Sequence, residues 1–114
     1  MSEKVELSRL LSVAQDLGST PMLLSVDGDG RPRAAAVSVT WADGTARVRA
    51  GRRTVANAAA RPLVSLLWPA PPGGRFALLV DGTVSAVEAD ADERSGGYVT
   101  VEVSSGILHV VDRP

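Results

Sequence analysis

Two guanidiniums and a hydroxyl stand together at Arg52-Arg53-Thr54, directly after Gly51 and ahead of the helix-forming run Val55-Ala56-Asn57-Ala58-Ala59-Ala60. The grouping suits an anion, because a helix start offers unpaired backbone N–H groups and the positive end of the helix dipole to a phosphate. Thr54 reads as the N-cap and Pro62 pushes Arg61 out of helical conformation, which predicts a helix of about two turns over 55–60. Taken alone, the two arginines read equally well as solvated turn residues. The wider charge pattern favours the anion: the interval Arg31 to Arg61 holds seven arginines and one acid, a net +6, while the rest of the chain carries −7. A cationic middle in an acidic frame focuses on a small anionic ligand rather than spreading a basic surface.

Other chemistries lack their residues. With no cysteine there is no disulfide, zinc-thiolate site or cysteine nucleophile, and His109, the lone histidine, falls on an alternating strand as a structural residue. There is no Gly-x-Ser-x-Gly elbow and no Gly-Lys-Ser/Thr phosphate loop. Asp27-Gly28-Asp29-Gly30 has the look of a calcium loop, but Arg31 stands where a third ligand is needed, so it reads as a turn. The acids at 88, 90, 92 and 93 read as solvated surface. Four aromatic residues and a slightly acidic balance argue against a nucleic-acid groove with stacking platforms. No apolar run is long enough for a membrane helix and the first residues lack a signal-peptide layout, so a soluble, cytoplasmic protein is expected. At 114 residues the expectation is one domain over 1–114, small enough that oligomerisation is a natural means of burying surface.

The elements that must position these residues follow from periodicity. Leu7, Leu10, Leu11, Ala14 and Leu17 predict an amphipathic helix over 4–17, ended by Gly18. Strands are expected at 22–26, 33–41, 45–50, 63–68 and 76–89, with turns at 27–30 and 42–44 and a bulge or bend at Asp81-Gly82. In the 33–41 strand, Arg33, Ala35, Val37, Val39 and Trp41 share one face and Ala34, Ala36, Ser38 and Thr40 the other. Arg47 and Arg49 share a face that points to solvent or to a ligand. Residues 89–97 are too short and too polar for a helix. Val99, Val101 and Val103 alternate up to a Ser104-Ser105-Gly106 turn, and Ile107 to Val111 complete a hairpin. Six or seven antiparallel strands, two helices and no strand-helix-strand repeats predict a mainly β, Greek-key-like barrel with helices at its ends.

In this order, Gly30-Arg31-Pro32-Arg33-Ala34-Ala35-Ala36-Val37-Ser38-Val39, the Gly51-Arg52-Arg53-Thr54 turn and helix, Arg61-Pro62-Leu63-Val64-Ser65-Leu66-Leu67-Trp68 and Leu79-Val80-Asp81-Gly82-Thr83 resemble the pyridoxamine 5'-phosphate oxidase-like family over roughly residues 5–90. The resemblance implies a split β-barrel, usually a homodimer, with FMN or the deazaflavin F420 between subunits and a small-molecule substrate. It implies that Arg52, Arg53 and Thr54 grip the flavin phosphate. Val37, Ser38, Arg49 and Ala50 would meet the isoalloxazine ring, and Trp68 would close its pocket. The second-strand cation of the best-known members falls here on Ala35 or Thr40, leaving Arg33 or Arg47 to substitute. Arg33, Arg47 and Arg49 would also supply the cationic surface that the longer F420 tail needs. The C-terminal segment with which the oxidase itself recognises its vitamin substrate is not expected within these residues, so the resemblance does not imply that oxidase's own reaction. The resemblance thus implies a flavin- or F420-dependent oxidoreductase, or a non-catalytic dimeric split-barrel module that binds an anionic cofactor or none.

Overall fold

The computed structural model describes residues 2–111; the ends of the expected 1–114 domain, residue 1 and residues 112–114, lie outside the described residues. Its elements are β1 (Ser2–Val5), α1 (Leu7–Leu17), β2 (Met22–Val26), β3 (Pro32–Ala36), β4 (Ser38–Ala42), β5 (Thr45–Ala50), α2 (Arg52–Ala60), β6 (Leu63–Trp68), β7 (Phe76–Ala89), a one-turn 3₁₀ helix (Glu93–Ser95) and β8 (Gly97–Val110). All strand pairings are antiparallel, in the order β3-β2-β6-β7-β8-β5-β4, and β1 adds an eighth strand beside β8. The sheet curls into a split barrel around Trp68, Leu23, Leu66, Leu78, Val48, Val80, Val99 and Val101. Among the described residues no helix is long and apolar enough to cross a membrane.

Three departures from the periodicity have physical causes. The expected 4–17 helix begins only at Leu7, with Glu6 in extended conformation as its N-cap, because residues 2–5 are a strand. β5 pairs with β8 only as far as Glu102, so the backbone of Ile107 to His109 needs another partner, which β1 supplies while burying Val5. The single strand expected at 33–41 is two. Its alternation continues unbroken through the buried Val37 and Val39, but β3 pairs with β2 and β4 with β5. At this corner Val37 N–H donates to Pro21 O (3.1 Å) and Val39 N–H to Ser19 O (2.9 Å), which ties the two ends of the sheet together. A period of two shows which face is buried and carries nothing about a change of partner.

The third departure is that β8 runs straight through Ser104-Ser105-Gly106, where a hairpin turn was expected. The register passes from Gly82↔Val103 to Asp81↔Ser105, leaving Ser104 as the extra residue of a bulge at the expected Asp81-Gly82 position. The Ser104 hydroxyl donates to Asp81 O at 3.0 Å. Gly106 serves packing rather than turning: a Cβ there would sit 2.5 Å from Leu10 Cδ1, so the glycine lets α1 lie directly on the strand.

The bulges divide the 14-residue strands β7 and β8 between two half-sheets of different character. In the half containing β4 and β5, the outward row reads Ser38, Arg49, Tyr98 and Glu88, and the next reads Thr40, Arg47, Thr100 and Ala86. In the half containing β3, β2 and β6, one outward row reads Ala36, Met22, Leu67, Leu79 and Ile107. One outer face is polar and charged; the other is apolar.

Candidate functional site

The site begins where β5 ends. Gly51, extended at φ −73° and ψ 169°, is the N-cap of α2, and its carbonyl accepts the first helical bond from Val55 N–H at 3.0 Å. The cap therefore lies three residues before the expected Thr54 cap. Thr54 is the third helical residue and is buried with Val55 and Ala58 on the inner face, because a threonine packed beneath the helix adds to the core what it withholds from capping. Arg52 and Arg53 fall in the exposed first turn. No side chain caps α2, and no acceptor among the described residues meets the backbone N–H of Arg52, Arg53 or Thr54. Neither of the two guanidiniums has a hydrogen-bond or carboxylate partner among the described residues.

The other arginines of the cationic interval are differently placed. On β5 they do not stand free: Arg47 lies over the Tyr98 ring with its Cζ 3.6 Å from the centroid and 3.5 Å separates its Nη2 from Glu88. Arg49 flanks the same ring at 5.1 Å and forms a two-pronged pair with Asp90, one bond being 2.8 Å. Arg49 Nη2 also donates to Ser95 O at 3.3 Å, and the Ser95 hydroxyl to Asp90 Oδ2 at 3.2 Å, so the 90–96 connection is fastened to β5. Asp90 is thus not the solvated acid expected from the sequence, whereas Asp92, bonded to Arg94 on an exposed turn, is. The side chain of residue 93 lies outside the described residues. The missed signal was a shared period: Arg47-x-Arg49 and Glu88-x-Asp90 each place like charges two apart, so two strands flanking Tyr98 on β8 can present them to one outer face.

The hydrogen bonds from Arg49 hold the Asp90 carboxyl below its ordinary 3.8, with Ser95 helping, and the same contact pushes the Arg49 guanidinium up. The pair therefore stabilises the fold above the ordinary carboxylate value, and its contribution is lost as pH falls through the depressed value. Acidification below pH 3.8 is expected to open the 90–96 connection early, seen as faster amide exchange at Asp90 and Ser95. Asp90→Asn should make that exchange fast already at neutral pH and remove its dependence on acid; unchanged protection in the variant would show that the pair does not hold the loop.

Of the predicted site residues, the structure brings Val37, Ser38, Arg49, Ala50, Arg52, Arg53 and Thr54 to one corner, since Ser38 lies directly across from Arg49 and α2 starts three residues later. Val37 and Ala50 are each 5% exposed and Val37 N–H is already bonded to Pro21, so they set the position of the corner while Ser38 presents a hydroxyl on its surface. Arg33 is elsewhere. It donates to Asp27 (2.8 Å) in the β2–β3 turn, whose strand end, Val26 O, accepts from Arg61 Nε at 2.6 Å at the C-terminal end of α2. Asp27 also accepts the Arg31 and Asp29 N–H groups, which with Arg33 lower its carboxyl; the turn expected there is confirmed. Trp68 is a core residue, 2% exposed, with its indole N–H on Gly18 O (2.8 Å) and its ring stacked on Trp41. His109 is exposed on β8, and no group of three or more potential metal ligands occurs among the described residues.

Beside the α2 start, Arg52, Val55, Ala56, Ala59, Ala89 and Gly96 line a hollow of about 160 Å³. Sites that enclose a cofactor run from about 300 to 1,000 Å³, so this hollow alone is too small to enclose one.

The sequence matches no protein-family model and no curated protein. Solved structures do match. They include an FMN-binding protein from Syntrophomonas wolfei subsp. wolfei (TM-score 0.71, 13% identity, 94% of this chain and 88% of that one). A second is a protein of the pyridoxinephosphate oxidase family from Clostridium acetobutylicum, related to general stress protein 26 of B. subtilis (TM-score 0.63, 12% identity, 93% and 91%). A third is an F420 reductase (TM-score 0.64, 20% identity, 77% and 88%). Identities this low speak for architecture, and the architecture agrees across nearly the whole chain: it has the split-barrel fold of the pyridoxamine 5'-phosphate oxidase-like and FMN-binding proteins.

Proposed function

We propose that this chain binds FMN or F420 with a phosphate of the cofactor on the start of α2, and acts as a homodimeric flavin- or F420-dependent oxidoreductase on a small molecule. One observation carries the reading: the first turn of α2 gathers three backbone N–H groups without acceptors and two unpaired guanidiniums. Those donors suit phosphate oxygens, which arginine engages in pairs. The FMN-binding and F420-related structures of the same fold favour a flavin-type ligand over another phosphate ester.

When bound, the cofactor would supply hydride transfer, so the chain needs no acid-base pair of its own. Arg52, Arg53 and the first-turn amides would hold the phosphate. Ser38, exposed opposite Arg49, would face the ring, while Val37 and Ala50 fix the strand ends behind it. Arg49, kept in place by Asp90, would border the site as a charged wall. The small hollow calls for a second copy to complete the enclosure.

Titration of FMN and F420 into the purified chain tests the proposal, and absence of binding at micromolar concentration of either would overturn it. Arg53→Ala is expected to weaken the bound cofactor by about 1.5–3 kcal/mol, the scale of a charge-assisted hydrogen bond. An unchanged dissociation constant would remove Arg53 from the site. A non-catalytic anion-binding module is favoured by one observation: neither Arg33 nor Arg47 joins the α2 start, so no second-strand cation reinforces it. That reading expects phosphate to bind there while neither cofactor is retained.

A further inference from the structure

A carboxylate drawn out of water needs a partner for its charge. Three acids among the described residues are half-buried, namely Asp27, Asp81 and Asp90. Arg33 pairs with Asp27 and Arg49 with Asp90. Asp81 has no cation within ion-pair distance among the described residues. Its side chain receives one hydrogen bond, from Ser65 Oγ to Oδ1 at 2.6 Å, and Oδ2 meets no donor among the described residues. The bulge sets this carboxylate where a ligand can reach it. Ser104, the extra residue on β8, donates to the Asp81 carbonyl, and bulges re-aim the side chains beside them. Asp81 lines an outer hollow of about 420 Å³, within the range of small-molecule sites.

We infer that this hollow binds a small organic amine, with its ammonium on Asp81 and its apolar body against β2, β3 and β6. Leu24, Val26 and Pro32 line the hollow on the β2–β3 side, and Leu63 on β6, 75% exposed, adds apolar surface to the rim. Ser65 lies directly across from Asp81 and Leu63 directly across from Thr83, so two hydroxyls flank the carboxylate on the same outer face. An ammonium has three N–H donors, and Asp81 Oδ2 with the Ser65 and Thr83 oxygens provides three acceptors. A neutral ligand would leave the carboxylate charge unmet, and an anion would be repelled by it. A metal ion needs several more oxygen ligands, and no group of three or more potential metal ligands occurs among the described residues. The hollow shares no lining residue with the one beside the α2 start, which makes it a site apart from the proposed phosphate seat.

Titration of 2-phenylethylamine into the full chain, followed by the amide NMR signals, tests this. The amine is expected to shift the Ser65, Asp81 and Thr83 amides with a dissociation constant of about 1 mM or lower. The isostere 2-phenylethanol, which has the same shape without the charge, should bind at least about tenfold more weakly. Asp81→Asn keeps the side-chain shape and an acceptor for Ser65, and should bring the amine down to the affinity of the alcohol. Leu63→Ser alters an exposed side chain, so the fold should persist while both ligands weaken together. Asp29→Asn, on the exposed β2–β3 turn, should change neither. The absence of shifts at about 10 mM amine would overturn the inference. Equal affinities for amine and alcohol would also overturn it, as would an amine held as tightly by Asp81→Asn as by the wild type. The flavin reading stands or falls separately: amine binding in a protein that takes up no FMN leaves the hollow assigned, whereas FMN displacing the amine from these amides would overturn a site of its own.

Discussion

Trp68→Ala is expected to destabilise the protein by about 3–5 kcal/mol, the cost of emptying a large aromatic site in a packed core. Three contributions are lost together. The ring is 2% exposed at the end of β6, so its removal leaves a cavity lined by residues held in their own strand pairings. The stack on Trp41, with centroids 6.3 Å apart and planes 16° from parallel, disappears. Gly18 O at the end of α1 loses the indole N–H that ties the helix to the barrel. Trp68→Phe separates these effects. It fills most of the volume but leaves Gly18 O without its donor, so a smaller loss of about 1–3 kcal/mol is expected. Urea unfolding followed by circular dichroism measures both, and a loss under about 1 kcal/mol for the alanine variant would show that Trp68 is not a core anchor. The same variants distinguish core from pocket: the folded phenylalanine protein should bind FMN as the wild type does, because Trp68 faces the interior.

What the sequence made legible, and what it did not, divides along the range of the interactions involved. Alternation located β2, β5, β6 and β7 and put the buried faces of 33–41 correctly, because burial repeats every two residues within one strand. The switch of partners at Val37 was not legible, since it changes hydrogen bonding and leaves the side-chain pattern intact. Ser104-Ser105-Gly106 misled for the opposite reason. Small residues that make a turn locally are here a bulge and a seat for Leu10, and the helix that needs the space lies almost a hundred residues away in the chain. In the candidate site, Arg52 and Arg53 were legible from their neighbours, whereas the pairing of Arg49 with Asp90 spans 41 residues and depends on β5 and β7 flanking β8. Arg33, equally cationic in sequence, was drawn off by the nearer Asp27.

The same long-range logic makes Gly96, which offers a ligand no side chain, the position where a backbone change should have the greatest effect on the site. Gly96 sits at φ +92°, a conformation that costs a side-chain-bearing residue about 1–3 kcal/mol. It also backs onto the helix start: a Cβ there would lie 2.2 Å from Ala50 O and 2.9 Å from Gly51 Cα, and backbone cannot yield as a side-chain tip does. Its carbonyl accepts Asp90 N–H at 2.9 Å, closing the connection that Asp90 also fastens to Arg49. Gly96→Ala must therefore displace either this loop or the Ala50-Gly51 junction that aims Arg52 and Arg53. A destabilisation of about 2–4 kcal/mol is expected from strain and clash together. In protein that remains folded, phosphate or FMN binding should fall at least tenfold although residue 96 donates nothing to the ligand. Gly28→Ala is the matched control, because a Cβ there has no neighbour within 4 Å, and its effect should stay within about 0.5 kcal/mol. If Gly96→Ala lowers stability but leaves the dissociation constant untouched, the loop supports the fold alone; if binding falls with it, the α2 start is set by its backbone neighbour as well as by its own sequence.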